Sequence, residues 1–253
     1  MGILFPAAEL IKQTAISLWE DKMPMSLLSF SHQDFLLSPS EWEQFLNPSD
    51  FPGMPKLEPL SFLTDSEDIA NWHKSHSFAP KIPDAHNVYA RLGFSKITDV
   101  DLVKARKDEI IADLNYPLPA QITQHSLVLD NVSQHCFNVG TAMTSIRNCV
   151  ALNGYVVHVL PLTMLQQGYI TISPDGLRDF YEQAGFTVKH HIAFCRNKLE
   201  HSYQVMHLNN AVRESPGDGW SQVFVARKTK KIKNPGWPLQ EKFRKFPNSS
   251  IGK

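Results

Sequence analysis

The chain has 253 residues, 42% of them hydrophobic and 20% charged, enough apolar material for one large domain with its own core. Its 25 Lys+Arg balance 25 Asp+Glu, which excludes a disordered polyelectrolyte and a globally basic nucleic-acid binder. Twelve glycines beside 17 prolines leave few residues for the glycine loops that cradle phosphates and dinucleotides.

No apolar run approaches the roughly 20 residues that cross a bilayer, and Met1 to Glu9 lacks the regions of a signal peptide, so a cytoplasmic protein is expected. Cys136, Cys149 and Cys195 are widely spaced in mainly apolar stretches and read as small buried residues rather than a disulfide framework or a zinc site. The pairs His73/His76 and His190/His191 come without nearby cysteines or a motif, so no metal site is expected.

Ala8, Ile11, Ala15, Leu18 and Trp19 recur at three- and four-residue intervals, predicting a helix over Pro6 to Lys22. Ser38-Pro39-Ser40-Glu41 carries a capping box and predicts a second helix, ending near Asn47-Pro48. Pro48, Pro52, Gly53, Pro55 and Pro59 then mark a linker, so residues 1–56 read as an N-terminal helical cap. From there, short apolar runs alternate with amphipathic segments, the pattern of a parallel sheet with helices on its faces. The predicted strands are Leu60–Leu63, Lys96–Asp101, Ser126–Asp130, Tyr155–Leu160, Thr187–Phe194 and Ser221–Ala226. Helices are predicted from Asp84 to a Gly93 stop, from Gly140 to Ala151, and from Ser173-Pro174 to a Gly185 stop. The fourth of these strands is apolar throughout except for His158, and the polar segment between the last two reads as a long hairpin connection.

Ligands of open α/β sheets bind beyond the carboxyl ends of the strands, where strand order reverses. Asp101, Asp113 and Asp130-Asn131 fall at or just after predicted strand ends and would line that rim. Each also has a local explanation: a turn-forming Asp at 101, a turn before Pro117 at 113–115, and a cap at 130–131.

At this point the chain resembles the class I S-adenosylmethionine (SAM) dependent methyltransferases, over roughly Leu60 to Ala226. The resemblance rests on Ala112-Asp113-Leu114-Asn115-Tyr116-Pro117-Leu118-Pro119, on Leu127 through Asp130-Asn131 to Asn138, and on Asn153-Gly154 through Pro161. It continues in Gly168-Tyr169, Ser173-Pro174, Phe180-Tyr181 and Ala184-Gly185-Phe186. It implies an α/β, Rossmann-like, seven-stranded, mostly parallel sheet flanked by helices, with residues 57–228 as the SAM-binding domain. By the same resemblance Asp101 and Leu102 meet the ribose, Asp113 and Leu114 flank the adenine, and Asp130 and Asn131 lie beside the methionine part. Asn131 and His135 are the candidate catalytic residues. Gln134, standing where many relatives have a glutamate, and Tyr169 are candidate substrate contacts.

The family's glycine-rich turn after the first strand is missing after Leu60–Leu63: Thr64 and Asp65 stand there, and no glycine lies between Gly53 and Gly93. Those two side chains are the expected substitutes on the methionine side. Three functions follow: methyl transfer to a small molecule, as in specialised metabolism; intramolecular cleavage of SAM to a cyclic amino acid, azetidine-2-carboxylate, and methylthioadenosine; or a catalytically silent partner protein. In residues 229–253, Lys230, Lys231, Lys233, Lys242, Arg244 and Lys245 form a basic tail broken by Trp237 and Phe243. It is suited to a carrier protein or an oligomer contact, or is simply a solvated tail; neither a membrane nor nucleic acid is an expected partner.

Overall fold

The computed structural model describes residues 2–47, 83–104, 108–164, 167–197, 200–208, 217–233 and 235–236. Helix α1 (Phe5–Glu20) has proline in its first turn and buries Ala7, Ala8, Leu10, Ile11, Ala15 and Leu18. Trp19, expected on that apolar face, is instead 41% exposed. Strand β1 (Ser26–Phe30) follows, then α2 (Pro39–Phe45), whose capping box forms as expected: Glu41 N donates to Ser38 Oγ and Ser38 N to Glu41 Oε2. Helix α3 (Ala85–Arg91) is capped by Asp84 and stops before Gly93, which has φ 90°. The remaining elements are β2 (Lys96–Asp101), β3 (Ile110–Ile111), β4 (His125–Asp130), α4 (Val139–Asn148), β5 (Val150–Pro161), α5 (Pro174–Gln183), β6 (Phe186–Asn197), β7 (Ser202–His207) and β8 (Ser221–Lys228).

One eight-stranded sheet has the order β3-β2-β1-β4-β5-β8-β6-β7. The first five positions pair in parallel. Strand β8 runs antiparallel to both β5 and β6, so β6 points with the parallel set, and β7 pairs antiparallel on its outer edge. The architecture is therefore the expected helix-flanked, mostly parallel α/β sheet. The eighth strand is β7: the polar segment read as a connection pairs with β6 from Ile192↔His207 to Asn197↔Ser202.

The strand placed at Leu60–Leu63, with Thr64 and Asp65 after it, lies outside the described residues. The central position between β2 and β4 is filled by β1, with Ser29 opposite Asp99 and Leu28 opposite Val128. So the part read as a helical cap contributes the middle of the sheet, a correction with a clear physical source. Ser26 and Ser29 interrupt the apolar run, yet both are satisfied internally: Ser26 N donates to Ser126 Oγ and Ser29 Oγ to Ser31 O.

The two sheet faces carry separate cores. Leu27, Leu127, Leu129 and Val157 pack with α1, α2 and α3 on one side. Leu28, Phe30, Val128, Val156 and Phe224 pack with α4 and α5 on the other. The chain leaves β1 outward to β2 and β3, then returns to β4, which puts the reversal of strand order at the carboxyl ends of β1 and β4. Among the described residues no helix is long and apolar enough to cross a membrane.

Candidate functional site

A cleft of about 220 Å³ opens at that reversal, lined on one side by Ser31, Asp101, Leu102, Asp113 and Leu114, and closed by Asn115, Val132, His135 and Cys136. Residues separated by more than 100 positions thus meet beyond the ends of three neighbouring strands. Asp101 ends β2, and its Oδ1 accepts from Leu102 N at 2.6 Å. Asp113 Oδ1 accepts from Asn115 N and Asn115 Nδ2, fixing the turn that presents the buried Leu114 to the cleft. Both local and ligand-facing readings of these aspartates are compatible with their geometry, since each shapes its turn and lines the cleft. A larger groove of about 560 Å³, between the Pro117–Ile122 segment and α4, carries neither a carboxylate nor a histidine.

The loop after β1 shows how the chain does without a glycine turn: Ser31-His32-Gln33-Asp34 follow Phe30, and no glycine lies between Gly2 and Gly53. Ser31 itself holds the left-handed conformation, φ 69°, that glycine would supply. It is clamped there by main-chain and side-chain bonds. Ser31 N donates to Val100 O at 2.7 Å, and Ser31 O accepts from Ser29 Oγ and from Gln33 Nε2. Gln33 Nε2 also donates to Asn131 Oδ1 at 2.9 Å, joining the loops after β1 and β4. Asn131 is therefore buried against the first loop and is not part of the cleft lining.

Asp130, expected at the methionine part, does not face the cleft: it is fully buried, and its oxygens are engaged inside the protein. Oδ1 accepts from Val132 N and Ser133 N, and Oδ2 from Ser133 Oγ. His158, opposite Asp130 in the β4–β5 register, brings Nδ1 to 2.6 Å from Oδ2 and Nε2 to 2.6 Å from the Tyr181 hydroxyl. With Nδ1–H donating to the carboxylate, Nε2 accepts a hydrogen bond from the Tyr181 hydroxyl, and both ring nitrogens have partners. Burial alone would raise the Asp130 pKa, but the bonds from His158, Ser133 and Val132 hold it below the ordinary carboxylate value. This row joins β4, β5 and α5, and its signal in the sequence was the lone histidine in an apolar strand.

Gln134, expected to touch substrate, is 1% exposed and does not line the cleft. Its Nε2 donates to Asn131 O, and its carbonyl accepts from Tyr169 N and Ile170 N. His135 next to it is exposed and lines the cleft, and partial burial lowers its pKa below the ordinary imidazole value. Tyr169 is 72% exposed and its ring lies 5.4 Å from that of Phe137, which is 79% exposed. Beneath the loop, Gly168 has φ 150°, and a Cβ there would lie 2.7 Å from Gln134 O.

No protein-family model matches the chain, and no curated protein does. Among solved structures it is similar to the N-methyltransferase NodS from Bradyrhizobium japonicum WM9 in complex with S-adenosyl-L-homocysteine, at 10% identity over 89% of each chain with a TM-score of 0.43. It is also similar to a SAM-dependent methyltransferase from Thermotoga maritima, at 10% identity over 89% of this chain and 92% of that one, TM-score 0.37. TehB from Haemophilus influenzae matches 56% of the chain over 54% of its own length, at 10% identity and a TM-score of 0.37. At these identities and TM-scores, function has to be read from the chain's own residues.

Proposed function

We propose that this chain is a SAM-dependent methyltransferase acting on a small molecule, with the nucleoside of SAM in the cleft at the ends of β1, β2 and β4. The observation that carries the reading is the convergence of Ser31, Asp101, Asp113, Leu114 and His135 on one cleft at the reversal of strand order. The donor set suits the ligand: a carboxylate at Asp101 grips a ribose diol, and the Leu114 side chain offers an apolar wall to a flat base. SAM supplies an already activated sulfonium methyl, so alignment of the acceptor does most of the work.

The chain's own residues then have limited tasks. The clamped Ser31–Gln33 loop bounds the methionine side, and Asn131 positions that loop through Gln33. His135, uncharged at neutral pH because its pKa is lowered, can take the proton an acceptor hydroxyl or amine gives up. The exposed Phe137 and Tyr169 rings pair with each other in segments that adjoin the cleft-lining His135 and Cys136, and we assign them to the acceptor side. Thr64 and Asp65 lie outside the described residues, and the basic tail is proposed as a contact for a carrier protein or a second copy.

Calorimetric titration with SAM tests the reading. Binding is expected, weakened about tenfold or more in Asp101→Ala with an unchanged thermal unfolding midpoint. Absence of binding, or unchanged affinity in the variant, would overturn it. Separation of the nucleoside products distinguishes the chemistry: adenosylhomocysteine marks methyl transfer, and methylthioadenosine marks the cyclising reaction.

A further inference from the structure

A second cluster, none of whose residues lines the cleft, is independent of the SAM reading. His32 follows β1, Asp99 lies inside β2, and His86 begins α3; one ligand atom from each lies within 4.8 Å of the others. His86 Nε2 is 2.6 Å and His32 Nδ1 3.6 Å from the same oxygen, Asp99 Oδ2. The His32 and Asp99 side chains are 6% and 3% exposed, while that of His86 is 41% exposed.

A hydrogen bond between His86 and Asp99 accounts for only part of this arrangement. Among the described residues neither ring nitrogen of His32 has a hydrogen-bond partner, and neither does Asp99 Oδ1, although all three atoms are buried. His32 Nδ1 faces Asp99 Oδ2 at the outer limit of a hydrogen bond, which leaves His32 Nε2 and Asp99 Oδ1 buried without partners; buried polar atoms are nearly always satisfied, so the arrangement calls for another partner. Two imidazoles and one carboxylate are a ligand set of divalent transition metals, and tetrahedral bonds of about 2.1 Å separate ligand atoms by about 3.4 Å. The 3.6 Å between His32 and Asp99 is close to that separation, and the 2.6 Å hydrogen bond between His86 and Asp99 would lengthen to it as the ion replaces the shared proton.

We propose that His32, His86 and Asp99 bind a divalent transition-metal ion, Zn²⁺ by ligand type, with solvent reaching the fourth position beside the half-exposed His86. The ion ties the glycine-free loop after β1 to β2 and α3, three elements that the chain brings together from positions 32, 86 and 99. It acts as a brace for the loop, and needs no part in the transfer chemistry.

The test uses the full chain, stripped with a chelator and titrated calorimetrically with ZnCl₂, with Co²⁺ as a spectroscopic probe. One ion per chain is expected, with micromolar or tighter affinity, a raised unfolding temperature, and Co²⁺ bands of nitrogen and oxygen ligation. His32→Ala and His86→Ala should each weaken binding about tenfold or more. Because His86 is half exposed, His86→Ala keeps its circular dichroism spectrum and remains interpretable where His32→Ala fails to fold. The proposal is overturned by the absence of stoichiometric binding, by unchanged affinity in His86→Ala, or by thiolate charge-transfer bands that move the ion to a cysteine. SAM titration of the same metal-free chain reports separately on the nucleoside cleft.

Discussion

Ser31 illustrates how a single residue takes over the task of a missing glycine. A left-handed L-residue costs about 1–2 kcal/mol, and here the cost is offset by bonds to Val100 O and from Ser29 and Gln33. Glycine at the same position removes the steric cost but adds freedom to the unfolded chain, so Ser31→Gly should leave stability within about 1 kcal/mol of the parent. Ser31→Val, whose branched side chain resists positive φ, should cost about 2 kcal/mol and weaken SAM binding. Urea unfolding of the two variants decides the point: equal midpoints would show that the loop is not held in this conformation. Asp130 makes the converse case. Its position at a strand end suggested a ligand contact, but its partner across the register is His158, and the pair is sealed inside the protein.

At the level of elements, the turn of 3-10 helix at Ser133–His135 and the Gly168–Ile170 segment form one packed edge beside the cleft-lining His135. The two meet through a single carbonyl, Gln134 O, which accepts from both Tyr169 N and Ile170 N. A side chain at 168 would collide with that carbonyl and with Gln134 Cγ, both 2.7 Å from the added Cβ. Gly168→Ala is therefore expected to open this edge, with a loss of about 1–3 kcal/mol. Hydrogen exchange should show the Tyr169 and Ile170 amides losing protection, while SAM affinity changes less than turnover. Unchanged protection would place the contact elsewhere.

For the whole molecule, the buried titratable groups set the response to acid. His191 is 1% exposed, its Nε2 donates to Gln222 Oε1 at 3.1 Å, and burial pushes its pKa down to about 4. The unfolded chain binds a proton at this position near the ordinary imidazole value, while the folded chain resists it down to about pH 4. The unfolded state thus holds more protons between these values, and stability falls as pH falls through that window. From about pH 7 to about pH 5 the loss from this residue is about 2 kcal/mol. Asp99 and Asp130 act in the same direction at lower pH, because their folded values are held below those of free carboxylates. Their stabilisation is present above the unfolded carboxylate value and is lost as pH drops through the folded one. Urea midpoints measured across this range should decline toward acid, and His191→Gln should flatten the upper part of the decline. A variant with the parent's slope would remove His191 from this account.

The amino-acid sequence by itself determined what depends on neighbours along the chain. The capping box at Ser38 and Glu41, the stops at Gly93 and Gly185, the alternation of β2 and the apolar runs of β4 and β8 are local patterns, and each forms where the pattern lies. Strand β5, by contrast, begins at Val150, inside the stretch expected to end a helix at Ala151. The placement of Asp101, Asp113 and Leu114 beside one cleft was also legible, because strand ends in such a sheet share a rim. What the tertiary structure decided is which segments become neighbours across the sheet. Strand β1 is short and broken by serines, so only its burial between β2 and β4 identifies it as central. The same pairing faces Asp99 with Ser29 and gathers His32 and His86 around it, a proximity that no spacing along the chain encodes. Register likewise turned Asp130 from a rim residue into a buried partner of His158. Side-chain period and capping are local physics, whereas a functional site is made where strands distant in sequence converge.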